Sequence, residues 1–179
     1  MKINMLKKNE VKIGMNQVYN VIDVCRYIIN YCHSKEYHIS NLKLQKILYF
    51  TQAYFLSSHD RKCFEEEIEA WGFGPVVPIA YREYLEFGSM TIYLKDTYEK
   101  LEYDKKKDRV EFVTKYYNAD VIDDKDKVLI NRVVDEFAHC SITYLTNITM
   151  NQRPFTSVYK QYEHNIIDTR MLREYFLED

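Results

Sequence analysis

The segment NLKLQKILYFTQAYFLSS, residues 41–58, carries apolar side chains on most sides of a helix. Leu44, Ile47, Leu48, Thr51 and Phe55 fall on one face, and Tyr49, Ala53 and Leu56 fall on another. A helix that is apolar nearly all round belongs inside a core rather than on its surface. Ser40 or Asn41 can cap it, because either side chain accepts a hydrogen bond from a first-turn N–H that lacks a partner within the helix. The segment therefore predicts the central helix of the fold.

Helical periodicity returns on both sides of this segment. Residues 17–34 repeat apolar side chains at spacings of three and four, which predicts an amphipathic helix. Asp123 or Asp124 can cap a further helix over the residues that follow. Shorter helices are expected over residues 141–149, 156–164 and 169–177, the last after an Asp168 cap.

A different periodicity marks residues 100–112. Leu101 and Tyr103 alternate with charged residues, and Val110 and Phe112 do the same after a charged turn. Alternation of this kind predicts two antiparallel strands joined as a hairpin. The expected fold class is therefore mostly α, a single helical domain with a small antiparallel β hairpin insert.

The segment EAWGFGPVVPIAYREYLEFG, residues 69–88, concentrates residues that are rare elsewhere in the chain. It holds three of the four glycines, two of the three prolines and the only tryptophan, Trp71. Pro78 suits the first turn of a short helix, and Gly88 can end it. Because Gly allows backbone angles that other residues avoid and Pro restricts them, we expect a loop around Gly74 and Pro75 that holds one shape.

Length, composition and charge limit the classes of protein. The chain has 179 residues, 46% of them hydrophobic, enough for one domain with a real core. Its formal net charge of −2 disfavours non-specific nucleic-acid binding. We found no signal-type apolar segment and expect a cytoplasmic protein that does not enter the membrane. Residues 1–16 are expected to form an N-terminal arm, and residues 17–179 the domain.

Histidines and cysteines invite a search for a metal site or a catalytic centre. They are His33, His38, His59, His139, His164, Cys25, Cys32, Cys63 and Cys140. The paired CxxC or HxxxH spacing of a metal site is missing, and nothing local marks a Cys–His nucleophile. The segment GFGP also lacks the glycine spacing of a phosphate-binding loop. We therefore expect no enzyme activity, no catalytic residue, no metal and no cofactor.

The helix over residues 41–58 could instead be the second helix of a helix-turn-helix motif, with Lys43 and Lys46 facing DNA. However, Ile47, Leu48 and Tyr49 follow at once and leave almost no polar face to enter a groove. Nucleic acid is therefore not an expected partner, although a sequence-specific regulator stays open as an alternative function.

The two unusual segments together resemble the Panacea domain of the SocA-like antitoxins found in bacteria and phages. In that family a helix of the LKLQKLLY type leads into an acidic turn, a Trp and a GPVVP segment. The residues that carry the resemblance are Leu42, Leu44, Gln45, Lys46, Leu48, Tyr49, Gln52, Glu69, Trp71, Gly74, Pro75, Val76, Val77, Pro78 and Tyr81. The resemblance is strongest over residues 42–88, and the chain departs from the family pattern at Asn147 and Phe155.

The resemblance implies an antitoxin that neutralises its cognate toxin, encoded by the adjacent gene, through direct protein–protein binding. The alternative is a DNA-binding transcriptional regulator of the same operon. A homo-oligomer is compatible with either function. The family is not known for a catalytic centre, which agrees with the expectation from the residues themselves.

Two interpretations of the glycine-rich segment remain open. In the first, Trp71 fills the core beneath the loop, and Gly74, Pro75 and Pro78 only fix the backbone. In the second, the loop with Phe73 forms part of the toxin-binding surface, together with Tyr81 and Tyr84 exposed on the following helix.

Overall fold

A computed structural model of the chain describes residues 17–93 and 97–178. The expected arm over residues 1–16 lies outside these described residues. The helices are α1 (Val21–Ser34), α2 (Asn41–His59), α3 (Pro78–Glu83), α4 (Asp124–Phe137), α5 (Ile142–Met150), α6 (Arg153–Thr156) and α7 (Thr169–Glu178). Single turns of 3₁₀ helix cover Leu85–Phe87 and Ala119–Val121. The mostly α fold class expected from the sequence is confirmed.

Helix α2 lies at the centre of the core, as its sequence predicts. Its N-cap is Ser40, whose hydroxyl accepts a hydrogen bond from the Lys43 N–H at 3.4 Å. Leu44, Ile47 and Phe55 are fully buried in it. Helices α1, α4, α5 and α7 all pack against α2, so the layers of the fold are arranged around this one helix.

The other helix starts follow their capping residues. Asp123 caps α4, and the Asp168 carboxylate accepts the Arg170 and Met171 N–H groups at 2.8 and 3.0 Å at the start of α7. Helix α1 begins at Val21 rather than near Gln17, because Tyr19 forms a parallel β-bridge with Phe64.

The helix expected over residues 156–164 is wrong. Instead, α6 is a single turn over Arg153–Thr156, and no helix covers residues 157–164. Pro154 sits in the first turn, where its missing N–H costs nothing, so the helix starts earlier than expected. Tyr162 has φ 68°, a left-handed backbone conformation that does not continue a helix. The Val158 carbonyl accepts a hydrogen bond from the Asn165 side-chain amide at 2.9 Å.

A three-stranded antiparallel sheet, absent from the sequence expectations, surrounds the glycine-rich segment. Its strands are β1 (Glu69–Trp71), β2 (Gly74–Val76) and β5 (Asn165–Ile166), in the order β2-β1-β5. Trp71 pairs with Gly74, so the expected loop is a tight hairpin with Gly72 and Phe73 as its turn. Pairing of Glu69 with Ile166 brings the C-terminal part of the chain beside this hairpin.

The predicted insert is confirmed as a longer hairpin of strands β3 (Thr97–Asp104) and β4 (Arg109–Tyr116). Its register pairs Leu101 with Phe112 and Tyr103 with Val110. The hairpin stands beside α1, where the Arg26 guanidinium lies 3.3 Å from the centroid of the Tyr98 ring. No helix within residues 17–93 and 97–178 combines the length and apolarity needed to cross a membrane.

Candidate functional site

A buried lysine fixes the tip of the β1–β2 hairpin. Lys46 lies on the side of α2 that faces the hairpin, and its side chain is fully buried. The Lys46 Nζ donates hydrogen bonds to the Phe73 carbonyl at 2.7 Å and the Pro75 carbonyl at 3.1 Å. Burial lowers the pKa of Lys46 to about 7. Two main-chain carbonyls therefore hold an amine that, near neutral pH, need not carry a full charge.

Gly74 lies directly against this amine. Its φ is +101°, a backbone conformation that side chains with a Cβ rarely adopt. A Cβ at this position would lie 2.5 Å from the Lys46 Nζ and 3.0 Å from its Cε. Glycine is required here both for the backbone angle and for the space that the lysine occupies.

Two amide side chains of α2 hold the exit from the hairpin. The Gln45 Oε1 accepts the Val77 N–H at 3.0 Å, and its Nε2 donates to the Asn41 Oδ1 at 3.0 Å. Asn41 in turn donates to the Tyr81 carbonyl at 2.9 Å. These buried groups satisfy the backbone on both sides of Pro78, the first residue of α3. The direction in which α3 leaves the hairpin is thereby fixed.

Further along α2, Gln52 also bonds to the backbone of a neighbouring segment. The Gln52 Oε1 accepts the Cys63 N–H at 2.9 Å, and its Nε2 donates to the Phe64 carbonyl at 3.0 Å. Tyr49, also buried, donates its hydroxyl to the Gln152 Oε1 at 2.7 Å. The polar positions of this otherwise apolar helix therefore bond mainly to the backbone of segments that pack on it, while Leu44 fills the core.

The hairpin fixed in this way presents a group of aromatic side chains, here called the aromatic cluster: Trp71, Phe73, Tyr81 and His164. Trp71 contacts Phe73 and Tyr81 edge-on, with ring centroids 5.6 and 5.4 Å apart. The His164 ring stacks on Trp71 at 4.5 Å with an interplanar angle of 18°. Such offset and edge-on arrangements are the favourable ones for aromatic rings. The Trp71, Phe73 and Tyr81 rings are half-buried, so the cluster is both packed and accessible.

The Glu69 carboxylate contacts two members of the aromatic cluster, Trp71 and His164. Glu69, on β1, accepts a hydrogen bond from the Trp71 Nε1 at 2.7 Å. The same carboxylate lies 3.9 Å from the His164 Nδ1. The indole is therefore held by its N–H on one side and by a stacked imidazole on its face, which leaves it little rotational freedom.

The structure decides between the two interpretations of Trp71 and corrects the expected exposure of Tyr84. Trp71 does not fill the core, because its half-buried ring lies in the aromatic cluster at the surface. Tyr84 is not exposed: only 8% of it is accessible, and burial raises its pKa. Helix α3 ends at Glu83, so the chain turns inward at Tyr84 and places its ring beside Arg26 and Ile29 of α1.

From the sequence, His164 was named only among the histidines considered for a metal or catalytic site and was not placed beside Trp71. The residue is the last one of a segment expected to be helical, and its neighbourhood contains no motif. It reaches Trp71 because β5 pairs with β1, a contact between distant parts of the chain that local periodicity does not reveal. Of the two departures from the family pattern, Asn147 is exposed on α5, and Phe155 is buried against Tyr159.

Lys43 and Lys46, the two lysines considered as DNA contacts, both form hydrogen bonds within the protein. Lys46 is buried, and the Lys43 Nζ donates to the Ala138 carbonyl at 2.8 Å at the end of α4. Helix α2 therefore does not present these side chains to a DNA groove. Within the described ranges, no three His, Cys, Asp or Glu side chains gather into a group that could hold a metal ion.

Comparison with known proteins bears on the hairpin and the helices around it. The family model described as "Antitoxin SocA-like, Panacea domain" matches residues 44–155. The protein called Antitoxin SocA from Caulobacter vibrioides (strain NA1000 / CB15N) is 52% identical over 44 residues, which cover 25% of this chain and 23% of that protein. The chain thus matches less than a quarter of its curated relative's length. No solved structure gives a significant match.

Proposed function

Because the chain belongs to the SocA-like antitoxin family with a Panacea domain, we propose that it neutralises a toxin encoded by the adjacent gene by binding it directly. The observation that carries this proposal is the aromatic cluster. Partly exposed Trp, Phe and Tyr side chains on a fixed backbone are typical of the central residues of protein interfaces.

The backbone beneath the cluster is already ordered in the free protein. Lys46 holds the carbonyls of Phe73 and Pro75, and Gln45 holds the N–H of Val77. A surface ordered before binding loses less conformational entropy when a partner docks. The hydrogen bonds of α2 therefore serve recognition indirectly, by fixing the backbone that carries the aromatic side chains.

Further apolar side chains extend the surface around the cluster. Ile79 is exposed at the start of α3, and Ile166 is exposed on β5 next to β1. Tyr162 is 94% exposed in the turn before β5. An apolar and aromatic surface of this kind is suited to a protein partner more than to a small polar substrate.

Three of the four thiols are unsuited to nucleophilic chemistry. Cys25, Cys32 and Cys63 are buried. Burial raises the pKa of Cys32 to about 12 and the pKa of Cys25 and Cys63 well above the ordinary value. Since the thiolate is the reactive form, these three cysteines are poor nucleophiles at neutral pH.

The test uses the product of the adjacent gene as the toxin. We expect its expression alone to stop growth, co-expression of this chain to restore growth, and the two proteins to co-purify. Phe73→Ala should weaken their affinity by at least about 30-fold, as loss of a central interface aromatic does, with the melting temperature within a few degrees. Tyr144→Ala, an exposed tyrosine on α5, is the matched control and should leave affinity unchanged.

Two results would contradict the proposal. One is a neighbouring gene product that is harmless when expressed alone. The other is restored growth without physical association of the two proteins. Unchanged affinity in Phe73→Ala, with binding otherwise intact, would place the interface away from the aromatic cluster while leaving the antitoxin function standing.

A further inference from the structure

The long hairpin β3–β4 turns its apolar face away from the body of the protein. Its outer face carries Leu101, Tyr103, Val110, Phe112 and Tyr116, each between 55% and 75% exposed. This set is called the outer hairpin face below. An antiparallel sheet with one wet side normally places its apolar side chains on the core and its charged ones in water, so the orientation here is the reverse of the usual one.

The opposite face of the hairpin shows the same reversal. Its side chains are mostly half-buried and charged, with ion pairs between Lys115 and Glu102 at 2.9 Å and between Lys107 and Glu111 at 2.9 Å. Tyr98, on this face, stacks on Arg26 of α1. The charged face is therefore already occupied by its own ion pairs and by the body, and the apolar face is the one left for a partner.

The β3–β4 hairpin has few contacts with the rest of the described protein, which also favours a partner for it. Among the described elements, β3 and β4 pack extensively only with each other. Two-stranded hairpins without a covered apolar face are marginally stable in water. Contiguous exposed apolar groups on a soluble protein commonly mark interaction sites.

The size of the face argues against a second copy of this chain as its sole occupant. Two eight-residue strands span about 27 Å by about 10 Å, or ~270 Å². A stable dimer needs ~800 Å² from each partner. The face therefore suits one part of a larger interface.

Charge at the turn indicates what such a partner presents. Lys105, Lys106, Lys107 and Arg109 stand against Asp104 and Asp108, four positive charges and two negative, in a chain of net charge −2. Lys107 pairs with Asp104 and Glu111, whereas Lys105 and Lys106 form no ion pair with any residue of the described ranges. An apolar surface bordered by carboxylates would complement both the face and its turn.

The hairpin is also joined to the segment that follows the aromatic cluster. Arg26 stacks on Tyr98 at the base of the hairpin and lies 3.6 Å from Glu83 at the end of α3. Exposed Leu85 and Met90 lie on the chain between α3 and the hairpin. Apolar surface thus continues along the chain from the cluster towards the hairpin.

We infer that the outer hairpin face is a second contact surface for the toxin, and that it takes an apolar region of the toxin bordered by acidic side chains. This inference rests on the proposed function and adds a second, separate contact to it. The hairpin then contributes area and charge selectivity, while the aromatic cluster contributes its fixed aromatic rings.

The experiment measures affinity for the product of the adjacent gene in full-length variants. Phe112→Ser and Leu101→Ser, on paired positions of the outer hairpin face, should each weaken binding by at least about 30-fold. Val113→Ser, the neighbouring residue on the opposite face, is the matched control and should change affinity by less than about threefold. Lys105→Glu combined with Lys106→Glu should slow association, and the difference from wild type should shrink in 0.5 M NaCl.

The outcomes separate the inference from the proposed function. Wild-type affinity in both Phe112→Ser and Leu101→Ser, with Phe73→Ala still impaired, overturns the hairpin surface alone. Conversion of a wild-type dimer to a monomer by Phe112→Ser, without loss of toxin affinity, assigns the face to a second copy and also overturns it. No binding by wild type removes the proposed function and this inference together. Because the two serine variants lie on different strands, misfolding of one, detected by its melting curve, leaves the other to decide.

Discussion

The buried amine of Lys46 makes a measurable prediction about stability and pH. Its pKa is lowered from 10.5 to about 7 by burial, and no acid pairs with it in the described parts of the chain. Between these two values the unfolded chain binds a proton at this position that the folded chain does not bind. Stability therefore rises with pH across that window, because raising the pH removes an advantage of the unfolded state.

The magnitude follows from the two pKa values. Linkage gives a penalty of about 4 kcal/mol at pH 7 that falls by roughly 1 to 2 kcal/mol by pH 8.5, and the free energy of unfolding rises by the same amount. The window closes near pH 9.0, the ordinary thiol pKa. There the buried thiols of Cys25, Cys32 and Cys63, whose pKa is raised by burial, begin to favour the unfolded state as pH rises.

Lys46→Met should abolish this gain, because no titrating amine remains. Urea unfolding of wild type and variant at half-unit steps from pH 7.0 to 8.5 measures it. Lys43→Met is the matched control, since Lys43 also lies on α2 and its amine also donates to a backbone carbonyl, that of Ala138, but from a partly exposed position; it should keep the wild-type slope. A wild-type stability that is flat or falling over this range, or a slope that survives in Lys46→Met, would refute the reasoning.

Three further substitutions and one control, Gly72→Ala, test the hairpin and its surroundings through thermal or urea unfolding, combined with toxin affinity. Gly74→Ala should lower the free energy of unfolding by about 1–3 kcal/mol, because position 74 has a positive φ and lies against the Lys46 amine. Gly72→Ala is the control and should stay within ~0.5 kcal/mol of wild type, because its added Cβ would lie no closer than 3.8 Å to another group. Equal losses in the two variants would contradict this. Tyr84→Ala should cost about 3–5 kcal/mol as a core deletion, and a melting temperature near that of wild type would show that the ring is not a core residue. Trp71→Ala should cost less than Tyr84→Ala but abolish most toxin affinity, so a loss of stability alone would remove it from the interface.

The sequence predicted the elements whose signals are local. Helix α2 shows an apolar pattern over many turns and a Ser cap, and the long hairpin shows strict alternation on both strands. The short β1–β2 hairpin was missed because three-residue strands are too brief for alternation to register. Its turn, Gly72 and Phe73, also lacks the Asn-Gly or Asp-Gly pair that marks a tight hairpin.

The candidate site was harder to predict, because its members meet only in the tertiary structure. Phe73 and Tyr81 were expected at the surface and lie in the aromatic cluster. His164 had no local signal, and Tyr84 was misplaced because the end of α3 could not be located to the residue. Lys46 was considered from the sequence as a side chain facing DNA, and its burial depends on carbonyls that lie in another segment.

The hydrogen bonds that α2 makes with the β1–β2 hairpin and its exit go to main-chain atoms. Lys46 bonds to the carbonyls of positions 73 and 75, and Gln45 to the N–H of position 77. Every amino acid supplies a carbonyl, so the identity of the side chain at position 73 is not constrained by these bonds. A combinatorial library that randomises positions 73, 79 and 81 while keeping Gln45, Lys46 and Gly74 would therefore vary the chemistry of the surface at constant backbone shape. The scaffold separates the residues that determine shape from those that determine specificity, which makes it a starting point for retargeting to a different protein.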